Sequence, residues 1–186
     1  MEITQTLYAP DRASWRAWLE EHYRSAPEVW LIYYRKASGK PRVPYNDAVE
    51  EALCFGWIDS TLKGLDAERF AQRFSPRQSG SPYSQPNRER LRRLVAAGQV
   101  VGDVLPSVGV MLREPFEAPA DVLAALEEDP VGWAHFQRYS PAYRRIRIAY
   151  VESARARPEE FQKRLRHLLR MNARDRQFGH GIETYF

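Results

Sequence analysis

The segment ALCFGWIDSTLKGLDAERFAQRFSPR, Ala52–Arg77, reads as two short strands, Trp57 to Leu62 and Glu68 to Ser75, joined by a tight turn at Lys63-Gly64. That connection is too short for a crossover, so the pair is expected to be antiparallel. Strand alternation puts Phe70, Gln72 and Phe74 on one face of the second strand and Arg69, Ala71, Arg73 and Ser75 on the other. On the first strand Trp57 and Asp59 oppose Ile58. If Ile58 packs with Phe70 and Phe74, then Trp57, Asp59 and Arg73 gather on the opposite face. The expectation is a cross-strand Asp59–Arg73 pair, with Trp57 as an apolar wall or a platform for the guanidinium.

Downstream, Arg77, Ser84 and Asn87 stand in a loop that leads into a helix N-terminus. Free N–H groups, the helix dipole and arginines together suit an anion such as phosphate or carboxylate. Each part also has a plain structural reading. An Asp–Arg pair beside a hairpin is commonly an ion pair that holds the strands, and Ser84 or Asn87 is commonly a helix cap.

Upstream, Ile3 to Tyr8 alternates as a short strand, and Asp11 is placed to cap a helix after Pro10. Trp15, Trp18, Leu19, His22 and Tyr23 form one helical stripe. Glu28 to Lys36, aromatic and β-branched, reads as a central strand. Tyr45 to Leu53 repeats helical spacing with Asn46 as a cap, and Gly56 suits the helix end. Beyond the hairpin come a basic helix from Pro86 to Ala97, a short helix within Val101 to Leu112, and a proline-marked linker from Arg113 to Pro119. The remainder is helical, with Ser140-Pro141 and Pro158 as start signals.

The predicted fold is α+β: a small mostly antiparallel or mixed sheet with helices on one face, followed by a helical C-terminal subdomain. The divisions expected are residues 1–112, residues 113–176 packed on them, and a loosely held tail, residues 177–186.

The chain has 186 residues, 44% hydrophobic and 12% aromatic, a composition that forms a core rather than a disordered coil. A net charge of +4, carried by arginine more than lysine, is weak support for a nucleic-acid partner. The single cysteine, Cys54, excludes an intramolecular disulfide, and its apolar run favours a buried inert thiol over a nucleophile. Residues 1–15 lack a basic region followed by an apolar one, and no apolar run nears the roughly 18 residues of a membrane span. A soluble, cytoplasmic protein is expected.

His22, His135, His167 and His180 are isolated, and there is no cysteine pair, no phosphate-binding loop and no nucleophile motif. No metal and no cofactor are expected. From Arg144 to Arg176 eleven cations face four acidic residues. On paired helices these would stripe a surface for nucleic acid or lipid headgroups, or simply form a solvated face with arginines at helix C-termini.

The runs VWLIYYRKASGK (Val29–Lys40), AVEEALCFGWIDS (Ala48–Ser60) and RFAQRFSPR (Arg69–Arg77), with Ser81, Ser84 and Asn87, resemble the YdeI/OmpD-associated family, also labelled bacteriocin-protection proteins. PADVLAAL (Pro119–Leu126) and SPAYRR (Ser140–Arg145) resemble its C-terminal helical part. Ser81-Pro82-Tyr83-Ser84 stands where the family usually has Ser-x-Trp-Ser, and the family's Thr-Arg pattern near the C-terminus is replaced. The resemblance implies a link to envelope stress and to resistance against antimicrobial peptides, and brings no agreed biochemical activity with it.

The functional expectation is a stress- or bacteriocin-protection-type protein that binds a small anionic ligand or a protein partner at Trp57, Asp59, Arg73, Arg77, Ser84 and Asn87. One alternative is an enzyme on a phosphorylated or carboxylated substrate, with Asp59 as acid or base and Arg73 and Arg77 holding the anion. Another is an arginine-driven nucleic-acid binder. The oligomeric state is open at this level.

Overall fold

The computed structural model describes residues 2–179; the part of the expected tail from His180 onward lies outside them. Four strands, β1 (Thr6–Tyr8), β2 (Val29–Tyr34), β3 (Trp57–Gly64) and β4 (Arg69–Pro76), form one sheet in the order β1-β2-β4-β3. β1 runs parallel to β2, and the other two pairings are antiparallel, so the sheet is mixed. The helices are α1 (Arg12–His22), α2 (Tyr45–Cys54), α3 (Gln85–Ala96), α4 (Leu105–Arg113), α5 (Ala120–Glu127), α6 (Pro130–Arg138), α7 (Pro141–Glu152) and α8 (Pro158–Ala173). The α+β class with a helical C-terminal part is therefore the observed one.

The chain divides into two compact units. The first holds residues up to Tyr83 together with Arg90–Leu112, and the second holds Ser84–Glu89 together with the chain from Arg113 on. Helix α3 thus contributes its first turn to the second unit and the rest to the first.

In the first unit Asp11 caps α1 by accepting the Ser14 N–H at 2.8 Å. The stripe on α1 then turns Trp15 and Leu19 fully inward. Trp15 meets Phe74 of β4 at 5.2 Å between centroids and donates its indole N–H to the Ala48 carbonyl of α2 at 3.0 Å. Trp18 stacks on Trp15 and on His22, and meets Trp57 edge-on. His22 is therefore the core-flanking histidine that the stripe predicts. Ala48, Val49, Ala52 and Leu53 of α2 close the same core against Val29, Leu31 and Phe74. Asn46 does not cap α2: the helix starts after Pro44 with no side-chain cap. Proline fixes φ there and does the entry without one.

Helix α2 ends with Gly56 at φ +71, from which β3 departs. A Cβ at this position would lie 3.2 Å from a Val104 methyl group. Gly56→Ala should therefore lower stability by about 1–2 kcal/mol from the left-handed backbone alone, read as a lower urea midpoint. A variant as stable as the parent would show that the junction relaxes freely.

Two carboxylates of α2, Glu50 and Glu51, are buried to 2% exposure. Arg12 reaches both, Arg16 reaches Glu51 at 2.8 Å, and Arg93 of α3 reaches Glu50. Buried charge is tolerated here because each carboxylate oxygen meets a guanidinium. Cys54 is buried beneath this network, and burial pushes its thiol up to about 12, so it is protonated and inert near neutral pH.

In the second unit α5 to α8 bury Val122, Leu126, Phe136, Val151, Leu165 and Leu168. Ser140 caps α7 through the Tyr143 N–H at 3.1 Å, as Ser140-Pro141 predicts, and Asp129 caps α6. Buried Glu89 takes both Arg145 nitrogens, at 2.7 and 2.8 Å, and the amide of Gln85 at 2.6 Å. Arg147 is buried against the rings of Tyr143, Tyr150 and Phe178. Arg155 pairs with Asp121 and Glu152, and Arg164 with Glu160. Much of the expected cationic stripe is thus engaged within the unit. Among the described residues no helix is long and apolar enough to cross a membrane, and no group of three or more His, Cys, Asp or Glu is placed to hold a metal ion.

Candidate functional site

The register of the hairpin reverses the expected facing. Trp57 lies opposite Pro76, Ile58 opposite Ser75 and Asp59 opposite Phe74, with an irregularity between Asp59 and Leu62. Directly opposed residues share a face, so Trp57 and Asp59 side with Phe74, and Arg73 faces the other way. The Asp59–Arg73 pair does not form. The physical reason is the choice between two apolar neighbours. The indole of Trp57 enters the core, 1% exposed, and donates to the Tyr23 carbonyl at 3.0 Å. A one-residue change in which side chain points inward flips every other side chain on the strand. The enzyme alternative in which Asp59 works beside Arg73 and Arg77 therefore loses its geometry.

Arg73 instead pairs with Glu28, at 2.5 Å, and donates to the Ser60 hydroxyl at 3.2 Å. The Thr4 hydroxyl and Arg73 hold the Glu28 carboxyl below the usual carboxylate range. Arg77 donates to the carbonyls of Ser81 and Pro82 at 2.9 and 3.1 Å, and its guanidinium lies 3.8 Å from the centre of the Tyr83 ring. Arg73 and Arg77 do line one hollow of about 390 Å³, with Ile58 and Ser75. Neither Trp57 nor Asp59 is in its lining. Ser84 and Asn87 belong to the second unit, Ser84 giving its carbonyl to the Arg88 N–H in the first turn of α3 and Asn87 being buried.

A different cavity, of about 310 Å³, opens on the face that Asp59 occupies. It is lined by Tyr33, Arg42, Tyr45, Leu62, Phe70 and Gln72. The Tyr33 and Phe70 rings stack, 5.2 Å apart and inclined by 6°. The Arg42 guanidinium lies over both, at 5.7 and 5.8 Å from their centres, and makes no ion pair among the described residues. The Tyr45 hydroxyl donates to Asp59 at 2.6 Å and so ties that expected site residue to the cavity wall. Tyr33 is 2% exposed, and its hydroxyl has no hydrogen-bond partner among the described residues. Burial, more than its neighbours Tyr45, Arg42 and Asp59, pushes its pKa up, so it stays a neutral phenol.

Sequence reasoning missed this cavity. Its one local signal was Arg42, in a turn with no acidic residue between Arg35 and Tyr45 to pair with it. The other walls come from β2, β3, β4 and the start of α2, which only the tertiary fold brings together.

Residues 7–105, more than half of the chain, match the family model described as Domain of unknown function (DUF8412). Residues 115–175 match the one described as Bacteriocin-protection, YdeI or OmpD-Associated. No curated protein and no solved structure matches the chain.

Proposed function

Because the chain belongs to the DUF8412 family and its helical half is of the YdeI/OmpD-associated, bacteriocin-protection type, we propose that it serves as a binding protein for a small anionic ligand, held at the Arg42 cavity. Neither family description names a reaction, so the reading rests on the site. One observation carries it: a guanidinium with no carboxylate of its own stands beside a buried hydroxyl with no partner, in a cavity the size of a small molecule. An unmet buried hydroxyl costs about 1–3 kcal/mol, which a ligand atom placed against it recovers. Two of the chain's large exposed hydrophobics, Leu62 at 62% and Tyr45 at 49%, stand at the same mouth. Apolar surface of that kind beside convergent polar groups marks binding sites.

A second reading places the anion in the Arg73/Arg77 hollow, favoured by the two guanidiniums that line it. Its weakness is that Glu28 already neutralises Arg73 and loop carbonyls already occupy Arg77. Calorimetric titration of inorganic phosphate and small carboxylates separates the two. Arg42→Ala should weaken binding by roughly 10-fold or more, the worth of a charge-assisted pair, without lowering the thermal midpoint of the free protein. Binding lost in Arg73→Ala or Arg77→Ala and kept in Arg42→Ala would move the site to the other hollow.

A further inference from the structure

We infer that the ligand of the Arg42 cavity is a single-ring aromatic acid, its carboxylate on Arg42 and a ring hydroxyl or carbonyl against the Tyr33 hydroxyl; this rests on the anion-binding reading above. The planar guanidinium of arginine matches a carboxylate through two parallel N–H···O bonds. Behind Arg42 the walls are flat: Tyr33 and Phe70 lie parallel within 6°, and a further ring extends such a stack where a flexible chain does not. Leu62 and Tyr45 present apolar surface at the mouth that a ring covers.

Size narrows the class. At about 310 Å³ the cavity sits at the small end of ligand pockets, roughly 300–1,000 Å³, which fits one substituted ring and not a nucleotide. Polarity narrows it again. Gln72 already spends its amide N–H on the Ser60 carbonyl, 3.1 Å away. Of the lining groups, the buried Tyr33 hydroxyl has no partner among the described residues and the Arg42 guanidinium makes no ion pair there. A buried phenol at neutral pH both donates and accepts, so a ring hydroxyl or carbonyl satisfies it.

The test titrates the full chain with benzoate, 4-hydroxybenzoate, cyclohexanecarboxylate and phenol, and repeats the series on Tyr33→Phe. In the parent both aromatic acids should bind more tightly than cyclohexanecarboxylate and phenol. In Tyr33→Phe the affinity for 4-hydroxybenzoate should fall roughly 3- to 10-fold, one hydrogen bond's worth, and that for benzoate should hold. Cyclohexanecarboxylate binding as tightly as benzoate overturns the aromatic inference and leaves the anion reading standing. An unchanged affinity for 4-hydroxybenzoate in Tyr33→Phe overturns the pairing with Tyr33. If none of the three acids binds the parent at millimolar concentration, the aromatic-acid inference fails; the anion reading fails as well only if inorganic phosphate and small carboxylates also do not bind. The comparison on the parent decides the ring question even if Tyr33→Phe does not fold.

Discussion

Truncating Trp15 to alanine should lower the free energy of unfolding by about 3–5 kcal/mol, the range for deleting a large buried aromatic. Three losses combine at that one position. The indole is fully buried, so its removal opens a cavity between α1 and the sheet. Trp18 loses the ring it stacks on, and with it the column that runs on to His22 and edge-on to Trp57. The Ala48 carbonyl loses a side-chain donor at the start of α2. Denaturant unfolding followed by tryptophan fluorescence gives the number. A loss below about 1 kcal/mol would mean that the core repacks around the gap, and that α1 is not fixed to the sheet by this residue.

The second large effect lies in the charged layer beside it. Arg12→Ala or Arg16→Ala alone should cost about 1.5–3 kcal/mol, because each leaves buried Glu51 with one guanidinium still in place. The double variant should cost more than the sum of the two, beyond about 3–6 kcal/mol, since both guanidiniums that meet the buried Glu51 carboxylate are then gone. Adding Glu51→Gln to the double variant should return part of the loss, because a neutral amide needs no counter-charge. A strictly additive double variant that Glu51→Gln does not improve would show that water reaches the carboxylate. The arginines themselves are about a third exposed, so the cost comes from the buried Glu51 carboxylate and not from the strength of the ion pairs.

What the sequence makes legible here is local. The Trp15–Trp18–Leu19 stripe and the Asp11 and Ser140 caps are written within one turn, and each stands where expected, whereas the reversal expected at Lys63-Gly64 comes later, at residues 65–68, because Lys63 and Gly64 still pair with Ala71 and Phe70 inside the hairpin. The facing of β3 is not local. Trp57 and Ile58 are both apolar, and the one that turns inward is set by how the chain leaves Gly56, whose carbonyl also accepts the Arg77 N–H. Sequence alternation gives two answers of opposite sign there, and the larger ring wins the core. The partner of Arg73 is Glu28, 45 residues away, on the neighbouring strand's approach. The Arg42 cavity needs three strands and a helix start to exist at all.

Helix α3 carries a last consequence. Its opening residues, Gln85 and Glu89, complete a hydrogen-bonded cluster with Arg145, while Leu91 and Leu94, a turn further on, fill the core of the sheet-bearing unit. Severing the chain between residues 112 and 113 would strand the Glu89 carboxylate away from its guanidinium and deprive the helical half of its own donor and acceptor. One rod of backbone is therefore spoken for at both ends. A gene cut at the apparent seam yields two damaged pieces, not two modules, and swapping either half between relatives has to carry the opening turn of that rod along with the arginine it serves.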